Sequence, residues 1–165
     1  MNKVKETVLR LNYKIYILPL IILFIDQISK TIIFISLFDE MKRIIIFSFF
    51  NLTPVWNKGI SFGMLSESGD IGKYTFIFIG ISFGLIIPIF AEGWNKYEKL
   101  GAYFVSGGAL GNSLDRIIYG KVIDFIDFHF RNIHWPAFNF ADICISIGIV
   151  LILFSGNLLP KDNKT

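Results

Sequence analysis

The sequence predicts an α-helical membrane protein, with four transmembrane helices, a small extracytoplasmic β-cradle and an outer loop in a single domain over residues 1–165. Apolar residues make up 53% of the chain and 18 residues are Phe, which is more than an ordinary soluble domain carries. Apolar runs of about 20 residues, at ~1.5 Å per residue, are long enough to cross a hydrocarbon core. The chain is too short for two substantial domains.

The first predicted span covers residues 15–38 and is interrupted by the polar residues Asp26, Gln27 and Lys30. A cleaved signal peptide would have a shorter apolar region without a central Asp and Lys, so we expect a retained transmembrane helix. Asp26 and Lys30 are four residues apart, on one face of a helix, where each partly neutralises the other. We assign this pair a structural role.

Three further spans are predicted, at residues 74–90, 100–119 and 138–159. The third span carries the small residues Gly107–Gly111, which allow close helix contact. Its far end is interrupted by Asn112, Asp115 and Arg116, which only protein neighbours or water can accommodate inside a membrane. We expect Asp115 and Arg116 to form an orienting network, in which Arg116 can hold a carbonyl or a carboxylate.

Basic residues set the expected orientation of the four spans. They lie before the first span and after the last, at Lys3, Lys5, Arg10, Lys14, Lys161 and Lys164. Both termini are therefore predicted to be cytoplasmic, and the two longer connectors face outward. Residues 39–73 are rich in β-branched and aromatic side chains around 43–50 and predict the β-cradle. Residues 120–137 predict the outer loop.

Two aspartates flank this outer connector, Asp124 near its start and Asp142 at the entrance of the fourth span. Two carboxyls a few ångströms apart cannot both ionise cheaply, so one keeps a proton while the other remains a base. Such a pair can split a peptide bond with water. The alternatives are that both cap elements or pair with Arg116 and Lys121, or that Asp127 takes the place of Asp124.

Composition argues against other kinds of site. The lone Cys144 excludes a multi-cysteine metal site, and His129 and His134 lack a third obvious ligand, so we expect no metal. Lys and Arg form no continuous basic face, so we expect no nucleic acid. The rival function is a proton-coupled membrane transporter or channel component, because intramembrane carboxylates and Lys30 could relay protons. Paired inverted halves, common in transporters, are not evident.

Five segments in order resemble the signal peptidase II family of bacterial aspartyl membrane proteases. They are Asp26-Gln-Ile-Ser-Lys30, Asn57-Lys-Gly-Ile-Ser-Phe-Gly63, Gly107-Gly-Ala-Leu-Gly-Asn-Ser-Leu-Asp-Arg116, Val122-Ile-Asp-Phe125 and Pro136-Ala-Phe-Asn-Phe-Ala-Asp142. The resemblance covers nearly the whole chain. It implies that Asp124 and Asp142 are the catalytic pair. Positions implied to line the site or seat the substrate are Asn57, Gly108, Asn112, Arg116 and Asn139, with Asp115, Asp26 and Lys30 in support.

The resemblance also implies the reaction and its place in the cell. The expected substrate is a diacylglyceryl-modified prolipoprotein, cut just before the lipidated cysteine, with membrane lipid as the other partner. The enzyme would be a multi-pass protein of the bacterial cytoplasmic (inner) membrane, with its active site near the outer leaflet. No cofactor is implied, because water is the nucleophile and two carboxyls move the protons. A mobile loop is expected between Phe125 and Pro136, and a four-span bundle can work as a monomer.

Overall fold

The computed structural model describes residues 13–59 and 69–158. The terminal basic residues invoked for orientation, apart from Lys14, lie outside the described residues, as do positions 60–63 of the Asn57 motif and position 159 of the last predicted span. Four long helices are present: α1 (Ile17–Ile33), α2 (Gly69–Phe90), α3 (Lys96–Tyr119) and α4 (Phe140–Leu158). A 3₁₀ turn (Tyr13–Tyr16) precedes α1 and a π-helical turn (Phe34–Phe38) follows it.

Helix α1 is apolar on the outside and charged on the inside. Asp26 and Lys30 are 0% and 1% exposed, whereas Phe24 and Ile32 are 67% and 59% exposed. This distribution suits a helix whose outer surface meets lipid and whose charged face meets other helices. The stretches Tyr13–Phe38 and Asp70–Gly93 are long and apolar enough to cross a membrane.

The two other long helices have different compositions. Phe140–Gly156 is apolar but shorter, and α3 carries Asp115 and Arg116 near its end. The predicted class, helical membrane protein with a small sheet, is confirmed. The count of four spans stays a prediction.

Helix α3 occupies the centre of the bundle and packs against α1, α2 and α4. Its start is fixed by a capping box, in which Asn95 accepts from the backbone N–H of Glu98 and the Glu98 carboxylate accepts from the Asn95 N–H. Its end is fixed by Gly120, whose φ of 73° favours glycine. The polar residues of α3 are therefore held at a defined height beside the sheet.

The four strands form one antiparallel sheet in the order β1–β2–β3–β4. Their bounds are β1 (Ile44–Phe47), β2 (Phe50–Asn57), β3 (Val122–Phe130) and β4 (Ile133–His134). The prediction that residues 120–137 form a loop needs correction, because Val122–Phe130 and Ile133–His134 are strands. The mobility expected between Phe125 and Pro136 stays a prediction. This segment is rich in β-branched and aromatic residues, which favour strands. Pairing with β2 gives hydrogen-bond partners to backbone groups of β3.

The bounds of the predicted β-cradle, residues 39–73, also need correction. Within the described part of that range, strand pairing covers Ile44–Phe47 and Phe50–Asn57. Residues 69–73 instead belong to the first turns of α2, which begins earlier than the predicted 74. The sheet therefore combines the first outer connector with most of the second.

The sheet rests on the end of the first helix through an apolar cluster. Ile123 and Phe125 of β3 pack with Ile33, Leu37 and Phe38 around the π-helical turn. Burying these side chains, at ~1.5–3 kcal/mol for each large one, fixes β3 against the helical bundle. Asp124, which lies between Ile123 and Phe125 in β3, therefore has a defined position relative to the bundle.

After β4 the chain runs back along β3 toward the bundle. The Trp135 N–H donates to the Phe128 carbonyl at 2.8 Å, and Phe138 forms a backbone bridge with Ile126. This return path brings Asn139, just before α4, beside the start of β3, where its Nδ2 lies 3.3 Å from the Ile123 carbonyl oxygen. The entrance of α4 is thus set by strand pairing.

Close packing of α3 against α4 predicts a large cost for one added methyl group. A Cβ at Gly148 would lie 2.5 Å from the Gly101 carbonyl oxygen, whereas a Cβ at Gly156 of the same helix would meet nothing within 4 Å. We expect Gly148→Ala to lower the free energy of unfolding in detergent by ~1–3 kcal/mol. The control Gly156→Ala should change it by less than about 1 kcal/mol. Equal stability of the two variants would contradict the packing.

Candidate active site

Asp124 lies in the first half of β3, is 1% exposed, and accepts a hydrogen bond on each carboxyl oxygen. Asn139 Nδ2 donates to Oδ1 at 2.7 Å, and Asn57 Nδ2 donates to Oδ2 at 2.9 Å. Asn57 is the last residue of β2, and its own Oδ1 accepts from the Gly59 N–H at 2.9 Å. That bond turns the amide nitrogen of Asn57 toward Asp124.

Asp142 lies in the first turn of α4, where it belongs to a second capping box. The Asn139 N–H donates to Asp142 Oδ2 at 3.1 Å, and the Asp142 N–H donates to Asn139 Oδ1 at 3.0 Å. The remaining oxygen, Oδ1, accepts from Asn112 Nδ2 at 2.8 Å. The sequence leaves open that these carboxyls cap helices or strands, and Asp142 does cap the start of α4. Lys121, however, lies over the Trp56 ring.

Asn139 connects the two carboxyl groups. Its amide nitrogen bonds Asp124, while its amide oxygen and backbone N–H take part in the capping box with Asp142. Burial raises the pKa of Asp124 to about 7, and the charge of Asp142 adds to this rise, against the amides of Asn57 and Asn139 and the charge of Lys30. In such a like-charged pair, one carboxyl has a raised pKa because both cannot ionise cheaply.

Beneath the carboxyls, the ammonium group of Lys30 has three acceptors. Its Nζ lies 2.8 Å from Asp26 Oδ2, 3.1 Å from Asp115 Oδ2 and 3.0 Å from Asn112 Oδ1. These contacts match the three N–H groups of a lysine. Asn112 Oδ1 also accepts from Asn139, so the Asn112 amide nitrogen is left to face Asp142. The expected pairing of Asp26 with Lys30 is present.

Asp115 attaches this charged cluster to β3. Its Oδ2 accepts from the Ile123 N–H at 3.0 Å, next to Asp124, and its Oδ1 accepts from Gln27 Nε2 at 2.9 Å. Gln27 was not among the predicted site residues, although it lies within the Asp26–Lys30 motif and was noted as a polar interruption. Its amide reaches residues 84 and 88 positions away, so no local pattern reveals its partners.

A cavity of about 470 Å³, called here the main cavity, opens beside Asp142. Arg116 borders it, donates to the Asn112 carbonyl at 3.1 Å and lies over the Phe76 ring. Asp142 is half-buried at its edge, whereas Asp124 is covered. The other lining residues are Asn57, Gly59, Asn112, Val122, Trp135, Pro136, Ala137 and Phe138.

Two predicted positions have different surroundings from those expected. Gly108 lies at the contact of α3 with α4, where a Cβ would stand 2.5 Å from the Ala141 carbonyl oxygen, and it does not line the main cavity. Asp127, the rival of Asp124, bonds Asn51, Thr53 and His134 instead. A spacing of three along a strand turns the two aspartates to opposite faces.

A metal site requires that several His, Cys, Asp or Glu side chains converge. Within residues 13–59 and 69–158, no three His, Cys, Asp or Glu side chains converge so as to hold a metal ion. The groups that converge are amides, carboxylates, one ammonium and one guanidinium.

Removing the buried ammonium should destabilise the fold, because Asp26 and Asp115 would lose their shared counter-ion. We expect Lys30→Met to lower the free energy of unfolding in detergent by ~3–5 kcal/mol. The control is Lys73→Met in α2, where the ion pair with the 85% exposed Asp70 spans 4.0 Å and its loss should cost less than about 1 kcal/mol. Similar losses in both variants would refute the role of Lys30.

Comparison with known proteins shows the family to which the chain belongs. Residues 18–157 match the family described as Signal peptidase (SPase) II. The chain is 40% identical over 139 residues to a lipoprotein signal peptidase of Burkholderia mallei (strain SAVP1), covering 83% of each protein. A Burkholderia thailandensis protein of the same name is 40% identical over 140 residues, again with 83% of each covered. A solved bacterial membrane enzyme superposes with a TM-score of 0.73 at 26% identity, covering 92% of both chains. The resemblance drawn from five sequence motifs is thereby confirmed: this chain belongs to the signal peptidase II family.

Proposed function

We propose that this aspartic-type signal peptidase removes signal peptides from diacylglyceryl-modified prolipoproteins with Asp124 and Asp142 as its catalytic pair. The observation that carries the proposal is that one side chain, Asn139, bonds Asp124 and shares a capping box with Asp142, which lines the main cavity. Two carboxyls joined in this way and differing in exposure can divide the roles of acid and base. The proposed cut falls just before the lipidated cysteine.

The raised pKa of Asp124 supports assigning the resting proton of the pair to Asp124, which leaves the role of base to Asp142. In the proposed reaction, Asp142 takes a proton from water as the water oxygen attacks the peptide carbonyl. Asp124 gives its proton to the carbonyl oxygen, which forms a tetrahedral diol. When the C–N bond breaks, Asp142 gives its proton to the leaving nitrogen and Asp124 recovers one from the diol.

The amide side chains have separate parts in this proposal. Asn57 and Asn139 hold the two oxygens of Asp124, and Asn112 holds one oxygen of Asp142, so neither carboxyl can rotate freely. Arg116, at the cavity wall, can bind a carbonyl oxygen of the substrate backbone. Gly108 supports the site by allowing α4 to approach α3 closely.

An apolar groove next to Asp142 supports the proposal that the substrate is lipidated. The groove measures about 330 Å³ and is lined by Trp135, Phe138, Asp142, Ile143, Ser146 and Ile147. It lies on the outer side of α4, where acyl chains could remain in lipid while the peptide reaches the main cavity. Membrane lipid is therefore part of the proposed substrate environment, and a single bundle, acting as a monomer, provides every proposed group.

The proposed location follows from charge and from the position of the site. The described end of the chain that carries Lys14 lies at the end of the bundle away from the sheet. Cytoplasmic placement of that end puts both termini inside and the catalytic pair near the outer leaflet. We propose four spans in the bacterial cytoplasmic (inner) membrane on the same grounds.

The rival function, a proton-coupled transporter or channel component, has less support. The carboxylates inside the bundle, Asp26 and Asp115, both bind Lys30 and are buried. This arrangement suits a fixed support better than a relay. Membership of a peptidase family favours hydrolysis as well.

The catalytic pair is tested by comparing purified wild type with Asp124→Asn and Asp142→Asn on a diacylglyceryl-modified prolipoprotein and its unlipidated copy. We expect wild type to cleave only the lipidated substrate, and each substitution to lower kcat by at least about 100-fold, because each removes a proton-transfer group. Cleavage is followed by gel shift and the cut site by mass spectrometry of the released peptide.

The matched control for these variants is Asp39→Asn, an exposed aspartate at the end of the π-helical turn. It should cleave like wild type, and the unfolding midpoint of every variant is measured so that activities are compared only between folded proteins. Undiminished cleavage by a folded Asp124→Asn or Asp142→Asn protein would end the two-aspartate mechanism. Absence of cleavage by folded wild type would end the proposed substrate class.

A further inference from the structure

Asp127 of β3 forms a second buried carboxylate centre, separate from Asp124. Its carboxyl group is only 5% exposed, and it accepts from Asn51 Nδ2 at 3.1 Å, from Thr53 Oγ1 at 3.0 Å and from His134 Nδ1 at 2.7 Å. Burial raises the pKa of Asp127, but the hydrogen bonds from His134, Asn51 and Thr53 outweigh it and bring the pKa below its usual value. An ionised Asp127 therefore holds side chains of β2 and β4 together.

His134 is the link between this centre and the end of the sheet. It belongs to the two-residue strand β4, whose pairing with β3 consists of His129 with His134 and Phe130 with Ile133. Because so short a strand gains little from its backbone pairing, the side-chain bond to Asp127 is the stronger attachment. The His134 ring also stacks on His129 with centroids 4.9 Å apart.

Trp135 follows His134 directly and stands where three cavities meet. It lines the main cavity and the apolar groove beside Asp142, and it also lines a third cavity of about 410 Å³ that includes Arg43, Asp127 and His134. Its backbone N–H is bonded to the Phe128 carbonyl, yet the residue is 70% exposed. The backbone of Trp135 is thus fixed by a hydrogen bond, and its exposed indole can contact a bound peptide.

We propose that Trp135 is a substrate-contacting residue beside the scissile bond and that the Asp127–His134 pair is a positioning device that fixes it there. The proposal rests on the peptidase function proposed above and adds residues outside the catalytic pair. A bound substrate must pass from the apolar groove to Asp142, and Trp135 lines both spaces. Losing the pair frees β4 and moves the indole, so binding weakens while the proton-transfer groups stay in place.

The kinetic test compares His134→Ala, Trp135→Ala and the double variant on the lipidated prolipoprotein. Each single variant should raise KM by about tenfold, which corresponds to one charge-assisted bond or one aromatic contact. The kcat value should change by less than about threefold, because the reacting groups are untouched. His134 acts through Trp135, so the double variant should have the KM of Trp135→Ala alone.

Two further variants separate positioning from general damage. His134→Asn places an amide N–H where Nδ1 was and should restore most of the lost affinity. Ile133→Ala, in the same strand but 76% exposed, is the control and should match wild type. Multiplicative effects of the two single substitutions on KM, or a fall confined to kcat, would overturn the proposal.

A readout independent of cleavage uses 5-fluorotryptophan. The chain has three Trp, and the ¹⁹F signal of Trp135 is assigned as the one lost in Trp135→Phe. This signal should shift in His134→Ala and in Asp127→Asn but stay unchanged in Ile133→Ala. An unmoved signal in folded His134→Ala would overturn the positioning role even if wild type cleaves, whereas a shifted signal without any cleavage would leave positioning intact and count against the proposed peptidase substrate.

Discussion

The structure depends on the ammonium group of Lys30, buried at the centre of the bundle. Removing a charge from water costs several kcal/mol unless each of its N–H groups finds an acceptor. Here Asp26, Asp115 and Asn112 provide those acceptors from α1 and α3. Because Asp115 also binds the backbone of Ile123, the same ammonium fixes the start of β3 relative to both helices.

A chain of fixed amide orientations extends from that centre to the carboxyl groups. The oxygen of Asn112 is occupied by Lys30 and Asn139, so its nitrogen must face Asp142. The oxygen of Asn139 is occupied by the capping box, so its nitrogen faces Asp124. The bonds that begin α4 are therefore also the bonds that orient the proposed catalytic pair, and fold stability and site geometry share the same atoms.

The apolar helices could be predicted from the sequence because the thickness of a bilayer sets the length of a spanning helix. The apolar runs near residues 15–38 and 74–90 are long enough to predict helices that cross a membrane. The i, i+4 spacing of Asp26 and Lys30 predicts their ion pair. Strand β3 was expected as a loop because its stability comes from β2, more than sixty residues earlier in the chain, and from the apolar cluster beside the π-helical turn. The local sequence of β3 reveals neither its pairing with β2 nor its packing on this cluster.

The site shows the same division between local and distant information. Asp124 and Asp142 could be proposed from their position at the membrane edge, and the family motifs added Asn57 and Asn139. The partners of Gln27 and Asp127 could not be predicted, since both depend on contacts between segments far apart in sequence. Polar networks inside a bundle are set by three-dimensional placement, and sequence reveals only that the polar residues are present.

Asp124 and Asp142 are proposed to act as one electrostatically coupled pair. The coupling is measured most directly by a ¹³C NMR titration of protein labelled at the Asp carboxyl carbons, with the Asp124 signal assigned by its loss in Asp124→Asn. We expect Asp124 to titrate with a pKa of about 7. In Asp142→Asn that pKa should fall, because the like charge that opposes ionisation is gone. A pKa of Asp124 that stays the same when Asp142 is neutralised would show that the two carboxyls are not coupled.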